Sequence, residues 1–341
     1  MTNIKVKVFE TDKKRHKTEE SPYLCAPHTF WFFRQSFSDF FGQRSTDNRN
    51  KMHVTGFTFI RNAVKFDFPI VEAITSILPI CDEFVVAVGK SEDETLQLIQ
   101  KIDPVKIRII ETIWDESLRE GGTVYAKETD KAFQAISEKS DWAFYIQGDE
   151  VIHEKDLPAI QTAMQRWKDD DRVDGLLFKY IHFYGSYDYV GDSPQWYRNE
   201  IRIVKNNKKI YSYRDAQGFR KNDNQKLQVK PIEASVYHYG WVKDPRVMQQ
   251  KHLHIHKYWH QGDPETRIKV SSEGFDYSQI DSLAKFTGTH PHIMHARLKR
   301  QNWQFSHDIS RKNLSLKYRM KLWVAKLTGW YIGEYKNYKV V

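Results

Sequence analysis

At 341 residues the chain is long enough for one large or two modest domains with a substantial core. Hydrophobic residues at 40% and charged residues at 28% are ordinary for a globular protein and exclude extensive disorder, although 14% aromatic residues is high. Two cysteines, Cys25 and Cys81, exclude a disulfide framework and a four-cysteine zinc site, and the formal charge of +9 admits nucleic-acid or anionic-membrane partners without choosing between them. The first twenty residues lack the apolar run of a signal peptide, and no segment holds the roughly 18 uninterrupted apolar residues of a membrane span. The expected location is the cytoplasm or the inner face of its membrane.

From Met52 the pattern is regular. "HVTGFTFI" reads as a strand, and "FPIVEAITSIL" as a helix with Ile70, Ile74, Ile77 and Leu78 on one face and Pro69 in the first turn, where a missing N–H is harmless. "EFVVAVG" is a second strand, "DETLQLIQKI" a second helix, "KIRIIET" a third strand, "TVYAKETDKAFQAISEK" a third helix and "DWAFYIQ" a fourth strand. This alternation predicts an α/β fold with a parallel sheet covered on both faces, which binds ligands at the carboxyl ends of its strands.

After a helix carrying Leu157, Ile160, Met164 and Trp167 the order changes. "VDGLLFKYIHFYG", "EIRIVKN", "IYSYRD" and "IEASVYHYGW" read as strands without intervening helices, so the second half of the sheet is expected to be mixed or antiparallel. Beyond Trp241 the chain reads as helical, broken near "QGDPE" and "FTGTHPH". The expected domains are an N-terminal extension over 1–51, an α/β domain over 52–260 and a basic, mainly helical region over 261–341.

Three motifs carry chemistry. "VVAVGKSEDET" ends like a phosphate-cradling loop at Gly89, Lys90 and Ser91, but the earlier glycine such a loop needs is replaced by Phe84, so it reads as a strand-to-helix turn. His252, His256 and His260 align on one helical face, which is either a metal site or an ordinary basic or core face; His238 ends a predicted strand. In "DWAFYIQGDEVIHEKDL" a strand ends in two adjacent carboxylates, Asp149 and Glu150. Mutual repulsion there calls for a cation, and Mg²⁺ or Mn²⁺ bound by one or two carboxylates plus diphosphate oxygens would satisfy it; a helix-capping acid pair is the plainer alternative.

From Met52 to about Trp259 the chain resembles a family 2 glycosyltransferase of the nucleotide-diphospho-sugar transferase fold (GT-A type). "FTFIRNAVKFDFPIVEAITSILPICDEFVVAVGKSEDETLQLI" is similar to that family's opening strand, turn, helix, second strand and acidic loop. "DWAFYIQGDEVIHEKDLPAI" resembles its D-x-D segment and "VYHYGW" its late histidine. The resemblance implies a Rossmann-like sandwich and transfer of a sugar from a nucleotide-diphospho-sugar to a glycan or glycolipid hydroxyl, with inversion and assisted by Mg²⁺ or Mn²⁺. It further implies Asp149 as principal metal ligand, His238 on metal or diphosphate, and Arg61, Asn62, Lys127, Gln147 and Glu150 around the donor. Gln147 stands where the family usually has its first aspartate, and Val88 and Gly89 where acids usually meet the nucleobase.

Inverting transfer needs a base for the acceptor hydroxyl and positive charge for the leaving diphosphate. Asp215 is the expected base, with Arg214 and Arg220 beside it to hold it ionised or to bind diphosphate; Glu200 and Glu233 are rivals, and an ordinary salt-bridged turn is the alternative. The segment from Arg311 carries eight basic residues against one acidic, with Leu316, Met320, Trp323 and Leu327 at helical spacing, suiting a helix on an acidic membrane or one packed on the protein. Two other classes stay open: a non-catalytic sugar-nucleotide or glycan binder, and a nucleic-acid binder. No helix-turn-helix, zinc-finger or RNA-binding signature supports the latter, so no nucleic-acid partner is expected.

Overall fold

The computed structural model describes residues 51–259, 268, 270–310, 312–329 and 331–341. The expected N-terminal extension and His260 therefore lie outside the described residues, apart from Lys51.

The first half alternates as its apolar runs require: β1 Val54–Ile60, α1 Ile70–Ile77, β2 Glu83–Gly89, α2 Thr95–Gln100, β3 Ile107–Thr112, α3 Thr123–Gln134 and β4 Trp142–Tyr145. These strands run parallel in the order β3-β2-β1-β4. Because both faces are covered, both sets of alternating side chains are apolar. Phe84, Val86, Phe144 and Ile146 meet Ile70 and Ile74 of α1 and Ile99 of α2 on one face, whereas Phe57, Val85, Ala87 and Tyr145 meet Ala132 and Phe133 of α3 on the other.

A short strand, β5 Glu150–Ile152, and helix α4 Leu157–Trp167 lead into the second half: β6 Gly175–Tyr184, β7 Ser186–Gly191, β8 Asn199–Lys205, β9 Ile210–Tyr213, β10 Gly218–Lys221 and β11 Gln225–Trp241. The sheet continues β4-β8-β6-β11-β10-β9, with β8 antiparallel to both β4 and β6 and β11 parallel to β6. A parallel first half followed by mixed strands is the GT-A-type arrangement that the resemblance implied. β11 is longer at its start than its sequence pattern, because Pro231 interrupts the pairing with β6 and the strand continues through a register shift.

The expected helical region after Trp241 is corrected. After α5 Pro245–His256, the described residues hold only α6 His295–Lys299 and α7 Leu316–Thr328 as α-helices, together with two strands, β12 Leu283–Lys285 and β13 Tyr338–Val340. β12 pairs with β7, and β13 extends the sheet beside the start of β11. The physical reason is aromatic anchoring: Phe275, Tyr277, Phe286 and Phe305 pack on the rings of β6, β7 and β11, and irregular backbone follows them. Trp303 Nε1 donates to Gly185 O at 2.7 Å and Tyr277 OH to Lys243 O at 2.9 Å, so these rings also satisfy backbone carbonyls. Residues 52–341 fall in one compact unit. No helix among the described residues is long and apolar enough to cross a membrane.

Gly185, between β6 and β7, tests this anchoring. Its φ is +72° and an added Cβ would lie 2.5 Å from the Phe305 ring. Gly185→Ala is expected to cost roughly 1–3 kcal/mol, read as a lowered urea midpoint with an unchanged slope.

Candidate active site at the end of strand β4

Gly148 and Asp149 turn the chain from β4 into β5, which pairs antiparallel with β11 so that His238 faces Glu150 in register. Glu150 corrects the expectation that it binds donor. Its carboxylate is fully buried and held by Arg202 of β8, Nε to Oε2 at 2.7 Å and Nη2 to Oε1 at 2.5 Å, with the Tyr180 hydroxyl also donating to Oε1. The remaining Arg202 nitrogen, Nη1, donates to Ile201 O and Gln217 O. Neither charge has a face left for a ligand, and removing one partner of such a pair costs about 3–5 kcal/mol.

Asp149 points the other way. Lys251 of α5 places Nζ 3.0 Å from its Oδ2 and also donates to Gly240 O at 2.9 Å. Burial would raise the Asp149 pKa, but Lys251, His238 and Lys243 outweigh it and hold the carboxyl well below the usual carboxylate range. Lys243 is fully buried, donates to Asp67 O at 2.6 Å, and burial next to Lys251 brings its ammonium down to about 7. Gly240 is required here, because a Cβ would lie 2.5 Å from His238 Nε2 and 2.8 Å from Asp149 Oδ2.

Histidine tautomers follow from the network. Tyr197 O is only an acceptor, so His182 Nε2, at 2.9 Å, carries a proton, and His182 Nδ1 accepts from His238 Nδ1–H at 3.3 Å. Burial lowers both histidines, while the Asp149 carboxylate pulls His238 the other way. His238 Nε2 lies 3.8 Å from Asp149 Oδ1.

The residues do not fit the expected divalent cation. Asp149 and His238 would be its protein ligands, Gln147 turns its amide nitrogen to Ala216 O at 3.0 Å, and Glu150 is committed to Arg202. A dication would share this one free carboxylate with the Lys251 ammonium, close to a second buried lysine. No group of three or more His, Cys, Asp or Glu side chains able to hold a metal occurs among the described residues. His252 and His256 face each other, 3.1 Å between their Nε2 atoms.

Two cavities have lining residues that hydrogen-bond to this turn or to its neighbours His238 and Arg202. One of about 410 Å³ is lined by Tyr180, His182, Trp196, Tyr197, Arg198 and Tyr331 among others, and meets the turn through the His182–His238 contact. A second of about 450 Å³ is lined by Glu120, Gly121, Thr123, Arg214, Asp215 and Gln217 with Trp259. Gln217 in that wall accepts from Arg202, and buried Ala216, between the lining residues Asp215 and Gln217, accepts from Gln147. Burial raises the Asp215 pKa. Arg220 does not join Asp215, a second correction: it is buried, donating to Asn337 O and the Tyr335 hydroxyl. The rival carboxylates have other surroundings, since Glu233 is an exposed partner of Lys179 and Glu200 is buried beside Gln217 with one oxygen unpartnered.

At the ends of β1 to β3, Arg61 donates to Glu116 at 2.9 Å and to the Tyr258 hydroxyl at 3.0 Å, over the Trp114 ring. Although burial opposes it, hydrogen bonds from Arg61, Lys257 and Tyr258 hold Glu116 down to about 2. Buried polar atoms Arg61 Nε, Trp114 Nε1, Tyr125 OH and Asn62 Nδ2 lack partners. Asn62 otherwise builds its turn, accepting from Glu92 N and taking a φ of +55°. Lys127 is exposed on α3, outside both cavity linings. Sequence reasoning passed over Lys251, Lys243, Arg202, Trp114 and Glu116; only the aromatic and charge density of "TIWDES" and "KHLHIHKYWH" marked two of their neighbourhoods.

No protein-family model matches the chain, and no curated protein is similar to it. Among solved structures it is similar to TarS of S. aureus, at 16% identity and a TM-score of 0.36 over 60% of this chain and 39% of that one. It is also similar to 4-diphosphocytidyl-2C-methyl-D-erythritol synthase from Anaerococcus prevotii DSM 20548, at 10% and 0.34 over 61% and 96%. A third is glucosyl-3-phosphoglycerate synthase from Mycobacterium tuberculosis, solved with Mn²⁺, UDP and glucosyl-3-phosphoglycerate, at 17% and 0.27 over 39% and 45%. The match thus spans well under two thirds of the TarS chain, and likenesses at these scores carry no argument about activity. The fold rests on the strand order itself.

Glu200 supplies a pH prediction. Burial raises its pKa from 4.5 to about 8, so the folded state binds a proton that the unfolded state releases. Its contribution to stability is complete below pH 4.5 and is lost as pH rises through about 8. Relative to Glu200→Gln, wild type should therefore lose stability across that window, measured as the difference between their melting temperatures at each pH.

Proposed function

We propose that this protein is a glycosyltransferase that moves a sugar from a nucleotide-diphospho-sugar to a hydroxyl of a glycan or glycolipid. The observation that carries the reading is one charged turn, Gln147 to Glu150 at the carboxyl end of β4, joined to two separate cavities. A transfer reaction needs two binding spaces that meet at one reacting centre, and a single-ligand binder does not. In this reading the donor's diphosphate lies at Asp149, with its nucleoside toward Arg61, Trp114 and Tyr258, where partnerless buried polar atoms cluster. The aromatic lining of the 410 Å³ cavity suits the apolar faces of an acceptor sugar. Asp215, favoured over its rivals by its place in the wall of the 450 Å³ cavity and its raised pKa, is the base, and this reading requires the acceptor hydroxyl to reach from the 410 Å³ cavity to that wall.

The acceptor side lies in sequence beside a surface suited to lipid. α7 exposes Leu316, Met320, Trp323 and Leu327, each 65% or more accessible, and Tyr331 of the acceptor cavity follows it directly in the chain. Lys317, Arg319, Lys321 and Lys326 accompany that stripe, so the partner surface is an anionic bilayer, with the protein at the cytoplasmic face. Flotation with phosphatidylserine-containing vesicles should carry the wild type, and Trp323→Ser with Leu327→Ser should reduce it severalfold. Equal flotation with neutral vesicles would remove the electrostatic part.

The reading is tested by release of nucleoside diphosphate from UDP-, GDP- and dTDP-sugars, with and without acceptor glycans. Wild type should turn over one donor class. Asp149→Ala should lose turnover while remaining folded, and Asp215→Asn should lose transfer while retaining donor binding. Donor binding by wild type with no release under any condition would instead establish a non-catalytic sugar-nucleotide binder.

A further inference from the structure

We propose that the Lys251 ammonium, with Lys243 beside it, is a built-in cation that binds the donor diphosphate directly, so that this site works without a divalent ion. The inference rests on the glycosyltransferase reading for the identity of the donor, but its geometry belongs to this chain alone. In a metal-assisted site a dication stands between a carboxylate and phosphate oxygens. Here the position against Asp149 Oδ2 is taken by Lys251 Nζ, 3.0 Å away, and α5 delivers it from 102 residues further along the chain.

Three features make this more than a structural ion pair. First, two ammonium groups crowd one carboxylate. Lys251 and Lys243 lie 4.8 and 4.9 Å from the same Phe68 ring; Lys251 pairs with Asp149, while Arg297 engages the nearby acids Asp67 and Glu72 and leaves Lys243 with no ion pair of its own among the described residues. Second, donor capacity is left over. An ammonium has three N–H groups, and Asp149 Oδ2 and Gly240 O take two from Lys251, leaving one without a partner among the described residues. Third, the group is not fully sealed. The Asp149, His238 and Lys251 side chains keep 12%, 11% and 8% exposure.

The chemistry balances without a metal. The bond between the sugar's anomeric carbon and the diphosphate oxygen breaks, and its electron pair stays on the leaving nucleoside diphosphate, whose added charge meets Lys251 and Lys243. The acceptor oxygen bonds to the anomeric carbon, and its proton passes to Asp215. A fixed ammonium stabilises developing phosphate charge as a preorganised electrostatic partner.

The experiment is calorimetric titration of the full chain with inorganic pyrophosphate, UDP and GDP, in EDTA and then with Mn²⁺ or Mg²⁺, on wild type, Lys251→Met, Lys251→Arg and Lys243→Met. Pyrophosphate should bind wild type in EDTA, with affinity unchanged by added metal. It should bind Lys251→Met roughly tenfold or more weakly and Lys251→Arg at an intermediate level, as expected for loss or repositioning of one charge-assisted contact. Binding that requires Mn²⁺ or Mg²⁺, equal binding to a folded Lys251→Met, or no pyrophosphate binding by folded wild type would each overturn the inference. The wild-type comparison in EDTA decides the metal question even where a variant does not fold. Pyrophosphate bound in EDTA with no nucleotide-sugar turned over would leave the lysine site standing and remove the transferase reading. Strictly metal-dependent turnover would do the reverse.

Discussion

The buried pair between Glu150 and Arg202 is the constraint on which the site depends. Two full charges have been taken out of water, and they persist only because each lone pair and N–H around them is matched: Tyr180 and the Arg202 fork on the carboxylate, Ile201 O and Gln217 O on the guanidinium. These partners come from β5, β6, β8 and the approach to β10, so the ion pair fixes four segments of the second half of the sheet against the end of the first. With Glu150 turned inward, Asp149 must face the opposite way, and β6 carries His182 two residues beyond Tyr180 into contact with His238.

Around Asp149 the physics differs. Glu150 has one cation and many hydrogen bonds, whereas Asp149 has two lysines nearby and few neutral donors. Buried lysine is costly in an apolar setting, and Lys243 responds by losing its hold on the proton. The chain tolerates this at a turn whose neighbours line two cavities, and positive potential focused in a low-dielectric setting draws anions. Charge economy in the protein without ligand and affinity for a phosphate group are two descriptions of the same crowding of ammonium groups around Asp149.

The sequence made the first half legible because strands buried on both faces are continuously apolar, and β1 to β4 are such runs. The turn that bears Asp149 was legible from the improbability of two adjacent carboxylates at a strand end. Their division of labour was not: Glu150 was placed at the donor by the family resemblance, and nothing in "EIRIVK" marks Arg202 as its partner. Both residues are buried. Lys251 escaped because lysine is a surface residue by default and the histidines around it drew the attention of periodicity. The segment after Trp241 misled because aromatic and polar residues at loose helical spacing also describe a chain that docks ring by ring onto an existing sheet.

That docking has a consequence for the order of assembly. β13 lies beside Leu227 to Val229 of β11, and the backbone just before it supplies the carbonyl of Asn337 to the buried guanidinium of Arg220. During synthesis on the ribosome the second half of the sheet is therefore made long before its last edge strand exists. Until residues through Val340 have emerged, an arginine destined for the interior lacks that acceptor and part of β11 presents an open edge, a nascent intermediate with surface to offer a chaperone.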